Sequence, residues 1–585
     1  VVIKIATLFL FLYMSFRTTL LVSVLFFLAF LIDSQAQTLI TSVNVIDVSS
    51  GEVIPDQDVL IMGHHIARIS DLIAKDPTYH IIDGQDQWLI PGLVDAHIHM
   101  FQSGGLYTRP DALDLRDIRP YQEEIDWLYK HATDILDSYL NLGITSVMDV
   151  GGPMTNYDIR KMTDTIVSPD YYCTGPLIST YQPDAFRISD PPIIKANTPE
   201  EARALVKMQL DDRPDFIKIW YINAPGITPS NHIDIVRAVI EESHAHDIPV
   251  AVHATDMLTA KISVQEGADI LVHSVAQPMD SEIIEMIVDQ QVVLIPTLVV
   301  HGGYDKAFLG EADITSHDLD NGIPLPISDL LDQSHIDHPN LEEAKTYAPE
   351  FIATNDIRDS IRTSNLRRLI AAGAIISTGT DAGNIGTFHA TSYLSELRAM
   401  KAAGISDSDI LKASTMSGAI AMGKALSHGQ VKEGSQADLI LLHSNPLENI
   451  EHLADISSVI KDGKVIDREK LSLRSPEELV QMQLNAYNMG NIESFLLPYS
   501  DSVKVYNFPD ELSFQGIDMM RLGYESFFEQ TPDLHCELLN RMVLGNTVID
   551  HERVTIIPGE SVFDAIAIYK IKEGKIQEVY FDLGY

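Results

Sequence analysis

Short apolar segments rich in β-branched residues recur along residues 93–380, with helix-length amphipathic stretches between them. Eight are predicted as strands, near 93–99, 144–150, 172–179, 215–220, 249–253, 269–273, 291–298 and 374–380. Helical periodicity is clearest over 198–210, 231–246 and 356–372. A short run that is apolar on both faces reads as a buried parallel strand rather than one with a wet side. Alternating strand and helix restricts the chain to a parallel sheet, doubly wound or closed on itself. Eight strands fit a (β/α)8 barrel, which gathers its reactive groups at the C-terminal strand ends.

Polar residues stand at those ends. His97-Ile98-His99 closes the first run. A strand puts i and i+2 on one face, and two neutral imidazoles side by side suit a divalent cation. The other such pair, His244-Ala245-His246, ends a helix-periodic stretch and reads as solvated surface. Lys218 in DFIKIW, His253 in IPVAVH, His273 in ILVH and Asp381 in AIISTGTD follow in order. Each alone has an ordinary explanation: a hydrogen-bonded core histidine, a lysine paired with a carboxylate such as Asp149, an aspartate capping a helix. Six at one barrel face point instead to a metal centre. Desolvation would also lower the Lys218 pKa from its usual ~10.4 and leave a nucleophilic amine.

Further motifs carry a family resemblance. IIDGQDQWLIPGLVDAHIH leads into the first pair, GITSVMDVGG matches a second strand, GADILVHSV holds His273 and STGTDAG holds Asp381. Asp438 lies in GQVKEGSQADLILLHSNPLENI, downstream of the barrel. Over residues 38–470 the chain resembles the amidohydrolase superfamily, in its binuclear imidazolonepropionase-like and prolidase-like branch. The resemblance implies an α/β fold, with a barrel over 91–423 inserted in a small β-sandwich built from 37–90 and 424–470. It implies two divalent ions, zinc first and manganese, cobalt or iron otherwise, bridged by a CO2-derived carbamate on Lys218. His97, His99 and Asp381 would hold one ion, and His253 and His273 the other. Asp381 would also be catalytic, carrying the proton of a water that attacks a C–N bond in an amide, cyclic amide or peptide. A lactonase, or a hydrolase of another bond, is the alternative. Prolidase-like relatives commonly carry Tyr two residues beyond the fifth-strand His, where this chain has Thr255. For substrate binding, Arg187 could hold a carboxylate, and Tyr221 or His301 could polarise a carbonyl. Two regions could shape the pocket: STYQPDAFRISDPP, which contains Arg187, and the long acidic segment 301–350, which begins at His301.

Residues 475–585 form a further unit beyond the charged stretch 467–470, a predicted hinge. Val480, Leu484 and Tyr487 predict a helix, 503–508 a strand and 516–529 a second helix. Strands follow near 534–544, 548–557 and 563–569, with a closing hairpin at Glu573-Gly574. This α+β order resembles the SnoaL-like, nuclear-transport-factor-2-like cone fold. The resemblance implies an isomerase, a ligand-binding unit or a dimerisation unit, with His535, Asp550 and His551 as candidate pocket groups. The expectation is an accessory domain, separable at the hinge, and a homo-oligomer.

At 585 residues the chain needs more than one core. A formal charge of −42 argues against nucleic acid and leaves a small-molecule substrate. Two cysteines, Cys173 and Cys536, in different predicted domains argue against a disulfide framework. Residues 20–32 are apolar behind Arg17 and end at Ser34-Gln35-Ala36, a small-x-small pattern. Residues 1–36 therefore read as a signal peptide, possible start Met14, for export to a periplasm or the exterior. The apolar run is short for a membrane span, so no stable insertion is expected after cleavage.

Overall fold

Two stretches far apart in the chain build the first sheet. In this computed structural model, which describes residues 37–583 except 224–225, 558 and 560, strands Gln37–Asp47, Glu52–Met62, His65–Ser70, His80–Asp83 and Trp88–Pro91 precede the barrel. Leu439–Leu442, Ile456–Lys461 and Lys464–Val465 follow it. Trp88–Pro91 runs parallel to the first strand and antiparallel to Leu439–Leu442, with Leu89 opposite Leu441. All eight strands form one sheet, whose core includes Ile40, Val45, Val59, Leu89, Leu439 and Ile460. The segment read as an export signal lies outside the described residues. Among the described residues, no helix is long and apolar enough to cross a membrane.

The barrel strands are Leu93–Ile98, Ile144–Asp149, Asp170–Cys173 continued by Leu177–Ser179, Ile217–Trp220, Val250–His253, Ile270–Val272, Val293–Ile295 and Ile375–Ile376. Each pairs with the next in parallel. The third is split, where one continuous strand over 172–179 was expected. Asp170–Cys173 pairs with the second strand and Leu177–Ser179 with the fourth. Gly175-Pro176 lies between them, and proline cannot donate to a ladder. The eighth strand is regular over two residues only. Backbone bonds from Ala96 to Thr378, Asp381 to His97 and His99 to Ala382, of 2.9, 2.7 and 2.9 Å, close the barrel.

Local sequence sets the outer helices. Pro199–Leu210 starts with proline at its first position, and the Thr198 hydroxyl accepts from the Glu201 amide. Asp256 caps Met257–Glu266, and Gly267 ends it at φ 98°. The segment 301–350 is largely helical: Val300–Phe308, Ser316–Asn321, Pro324–Leu331 and the start of Pro339–Ala371. That last helix begins well before 356, where the periodicity becomes legible. Its first half buries only Leu341 and Ala348 and contains Pro349, so it shows no apolar stripe. Between barrel and sheet, the buried Lys461 ammonium lies 2.9 Å from Asp170 and 3.0 Å from Asp438.

The last domain is a six-stranded sheet in the order Glu511–Gln515, Tyr499–Asn507, Lys575–Leu583, Ser561–Lys572, Thr547–Ile557, His535–Leu544. Helices Pro476–Asn488, Ile492–Leu496 and Ile517–Gln530 complete it. Ser475 and Glu478 form a capping box at its entry. The predicted hinge is not a free one. Arg468 bonds the Asn141 and Ile456 carbonyls, and Arg474 bonds that of Asn321 at 3.0 Å. Helix Pro476–Asn488 lies on Pro324–Leu331, with Gln481 3.1 Å from Ser328 and Asn485 2.8 Å from the Pro324 carbonyl. One hydrophobic core takes in Phe308, Ile327 and Leu330 from the barrel's insert and Leu479, Val480 and Phe495 from the last domain. The two units are fused, not linked.

Candidate metal centre

The first strand, LVDAHI, is buried at every position, so its period of two turns Asp95 and His97 to one face. His99 follows on that face. The His97 and His99 Nε2 atoms each lie 3.2 Å from Asp381 Oδ1. His273 Nδ1 is 3.8 Å from Asp381 Oδ2. The His97 and His273 rings are 4.9 Å apart between centroids, and those of His253 and His273 4.4 Å. Backbone strain accompanies this arrangement: His273 and Asp381 have φ of 77° and 61°. A left-handed non-glycine residue costs about 1–2 kcal/mol, and such strain concentrates where the surroundings fix a site.

Neighbouring groups orient the ligands. The His99 Nδ1–H donates to the Gly151 carbonyl at 2.7 Å, which fixes the ring with Nε2 toward Asp381. His273 Nδ1 meets Thr297 Oγ1 at 2.8 Å. Asp95 accepts from the Thr380 amide and hydroxyl at 3.0 and 2.8 Å, tying the first strand to the segment that carries Asp381. Two glycines permit the approach. A Cβ on Gly379 would sit 2.8 Å from His97 Cβ, and one on Gly383, at φ 103°, would sit 2.6 Å from the His99 carbonyl.

Lys218 supplies the deciding observation about the donor set. It is 1 % exposed, and its amine is buried without a hydrogen-bond partner. Burial draws its pKa down to about 7, with Asp381 acting the other way. Asp149, the carboxylate that could have paired with it, instead accepts from the Met100 amide and the Tyr171 hydroxyl. Asp381 caps no helix; it meets the two imidazoles. Burial lowers His97 to about 4, with Asp381 acting the other way, so its ring is neutral, and its Nδ1 is buried without a hydrogen-bond partner. Burial, then Lys218, holds His253 well below its ordinary value. An apolar core would not retain so many unpartnered polar atoms. Neutral imidazoles, a carboxylate and a deprotonatable amine fit divalent cations.

The cleft above these groups has a volume of about 310 Å³. Phe101, Leu177, Phe186, Ile193 and Trp220 form an apolar wall, and Thr255 lies among the lining residues. His301 is there, its Nε2 buried without a partner and its pKa lowered to about 3, by burial first. Tyr221 is not. Its neighbours Trp220 and Ile222 face the cleft, while its hydroxyl donates outward to the Pro229 carbonyl at 2.7 Å. Arg187 is also absent from the cleft: its side chain is 68 % exposed and pairs with Asp184 at 3.1 Å. Sequence reasoning overlooked Arg109, Tyr304 and Asn384. Arg109 binds Asp111 through two bonds of 2.7 Å and Tyr304 at 2.9 Å, and Tyr304 bonds Asn384. Only Asn384 carried a hint, three residues beyond Asp381.

These features meet an independent match: the profile of the amidohydrolase family covers residues 88–466. The chain belongs to the amidohydrolase family. Residues 480–579 match the SnoaL-like domain. No curated protein matches the chain by sequence. Solved amidohydrolase-like structures share the fold at low identity. An Xaa-Pro dipeptidase with bound methionine is 23% identical, covers 74% of this chain and 100% of its own, and superposes with a TM-score of 0.57. Molinate hydrolase gives 19%, 76%, 97% and 0.56, and A. niger ochratoxinase 19%, 74%, 96% and 0.55. In this amidohydrolase the SnoaL-like match begins beyond the last residue that the amidohydrolase profile covers. Its predicted pocket groups face elsewhere. His535 stacks on His335 of the insert with centroids 4.2 Å apart, Asp550 pairs with Arg541 at 2.6 Å, and His551 lies at the surface near Asp564.

Proposed function

We propose that the barrel is a binuclear metal hydrolase that cleaves a C–N bond in a small molecule with an apolar flank, and that the protein is exported. The buried, unpartnered Lys218 amine between His253 and the His97–His99–Asp381 group carries the reading. Carbon dioxide adding to that amine, with loss of a proton, gives a carbamate whose two oxygens could bridge two cations. His97, His99 and Asp381 would hold one and His253 and His273 the other; zinc, manganese, cobalt and iron all suit the set. When bound, the ions lower the pKa of a water and polarise the scissile carbonyl. Asp381 accepts the water's proton at its carboxylate and delivers it to the departing nitrogen, which cannot leave unprotonated. His301 donates from its neutral ring to the carbonyl oxygen. The apolar wall holds the substrate's flank and excludes water.

Two observations support the substrate class. Neighbours of the fold are named for a dipeptidase and for phenylurea hydrolase B, both pointing to C–N bonds. The guanidinium of Arg109 is already filled by Asp111, so it offers no free cation for a substrate carboxylate. Neutral N-aryl amides and phenylureas should therefore be better substrates than free dipeptides. The test is a comparison of kcat/KM for anilides, phenylureas, dipeptides and lactones on metal-loaded protein. A preference of more than about tenfold for the neutral anilides is expected. Preference for dipeptides would overturn the substrate class, and turnover of lactones alone would overturn the C–N reading. Export rests on residues 1–36, and cell fractionation with N-terminal sequencing of the mature chain tests it.

A further inference from the structure

The segment joining the seventh barrel strand to helix Val300–Phe308 places several groups of the cleft within a few residues. Thr297 Oγ1 meets His273 Nδ1 at 2.8 Å, and a little further on His301 and Tyr304 line the cleft. The backbone here is strained: Thr297, buried and β-branched, has φ of 44°. Such a conformation persists only where the surroundings fix it. Helix Val300–Phe308 also has no cap of its own, because Val299 at its N-cap carries no side-chain acceptor. The hold on this segment has to come from elsewhere in the fold.

Several buried carboxyl groups take hydrogen bonds from neutral donors: Asp95 and Asp149 beside the metal ligands, Glu552 from the Tyr569 hydroxyl in the last domain, and Glu396. Glu396 supplies what the segment lacks. It is fully buried on helix Ser392–Ala402, beyond the eighth strand. Its Oε1 accepts from the Leu298 amide and its Oε2 from the Val299 amide, both at 2.9 Å. Three residues earlier on the same helix, the Tyr393 hydroxyl donates to the Val94 carbonyl at 3.0 Å. The anchor is therefore tied to the strand that carries His97. Asn355 of helix Pro339–Ala371 adds a second hold, donating to the His301 carbonyl at 2.8 Å. Two adjacent amides need two acceptor atoms. A carboxyl group has both, whereas a carboxamide has one and would turn an N–H toward the other amide.

We propose that Glu396 is a positioning residue: by holding the Leu298 and Val299 amides it aims His301 at the carbonyl oxygen of the substrate. The inference rests on the reading of the barrel as a hydrolase in which His301 donates to that oxygen. Glu396 does not line the cleft and acts only through the segment it holds. A donor to the oxygen that gains charge in the transition state governs kcat more than KM. Displacing such a donor by about 1 Å can cost up to about a hundredfold.

The test uses the full-length, metal-loaded protein with Glu396→Gln and Glu396→Met. Both keep the side chain's length; the first retains one acceptor and the second none. For any substrate that the wild-type protein turns over, kcat should fall about tenfold in Glu396→Gln and further in Glu396→Met. KM should stay within about threefold and metal content should not change. In a His301→Ala background, Glu396→Gln should cost less than about twofold, because the group it positions is gone. Hydrogen exchange read by mass spectrometry follows the anchor without a substrate. Peptides spanning 297–304 should exchange faster in both variants, and those from the other barrel strands should not. A tenfold loss that persists beside His301→Ala would overturn the positioning role, as would wild-type exchange over 297–304. Loosening of the whole barrel with lost metal in Glu396→Gln would make Glu396 a general support and overturn it as well. Should Glu396→Met fail to fold, the isosteric Glu396→Gln decides. A fully active His301→Ala would overturn the donor role on which the inference rests. A fully active Glu396→Gln beside an impaired His301→Ala would overturn the inference alone.

Discussion

Asp381 and Lys218 do different work in one constellation, and substitution separates them. Asp381→Asn cannot accept a proton, so turnover should fall by roughly two to four orders of magnitude while the fold persists. Circular dichroism beside single-turnover kinetics checks this; near wild-type rates would assign the proton to another residue. Lys218→Ala should lower the metal content of the purified protein from about two ions per chain, read by elemental analysis. Unchanged stoichiometry would sink the carbamate bridge. Glu552 adds a prediction about pH. Its pKa is raised from 4.5 in the unfolded chain to about 8 in the fold, so the native state binds the extra proton between those values. Stability then declines as pH rises through that window, by about 1.4 kcal/mol per unit at most, and levels off above it. Glu552→Gln should flatten the decline, measured as urea midpoints from pH 5 to 9; an unaltered slope would show that Glu552 titrates normally. All six candidate ligands were legible because each closes an apolar run. Glu552 was not: the sequence reading stopped at Asp550 and His551, and only the strand's alternation shows that Glu552 turns inward with Asp550 while His551 turns to the surface.

Strand ends make the metal centre, and the joint between the eighth and first strands is its tightest part. Gly379→Ala would push a methyl group to within 2.5 Å of Ile295 Cγ2 and 2.8 Å of His97 Cβ. Overpacking of that kind costs about 1–3 kcal/mol, and here the displaced residue is a ligand. Metal content should therefore fall together with Tm. A variant with full metal content and wild-type Tm would show that the joint has slack. The barrel's strand count was readable because buried parallel strands are short and β-branched. The break in the third strand was also readable in principle, from Gly175-Pro176, but periodicity alone joined its halves. The insert after the seventh strand was legible only as a long acidic segment, not as helices. Its helices take their apolar contacts from the last domain, so no single-helix pattern announced them. Arg187 failed as a binding residue for a related reason: position in a loop near the cleft does not say which way a side chain turns, and here Asp184 holds it in solvent.

At the scale of the whole chain, the shared core argues against a detachable accessory domain. Ala307 and Phe308 belong to that core, and their helix also carries His301 and Tyr304 into the metal cleft. A chain truncated after Leu473 should expose Ile327 and Leu330, melt at lower temperature and lose at least about tenfold in turnover even where metal remains bound. Equal Tm and kcat for truncated and full-length proteins would restore the separable reading. The sheet that brackets the barrel has a different consequence, one of timing. Leu89 cannot meet Leu441 until the whole barrel between them has been synthesised, so the nascent chain carries an unsatisfied strand edge throughout that interval. Long-range pairing of this sort is slow to form and vulnerable to aggregation while it waits. Protease protection of residues 37–91 should accordingly appear in stalled ribosomal chains only after the segment through Val465 has emerged, and the growing polypeptide is a natural client for a holding chaperone until then.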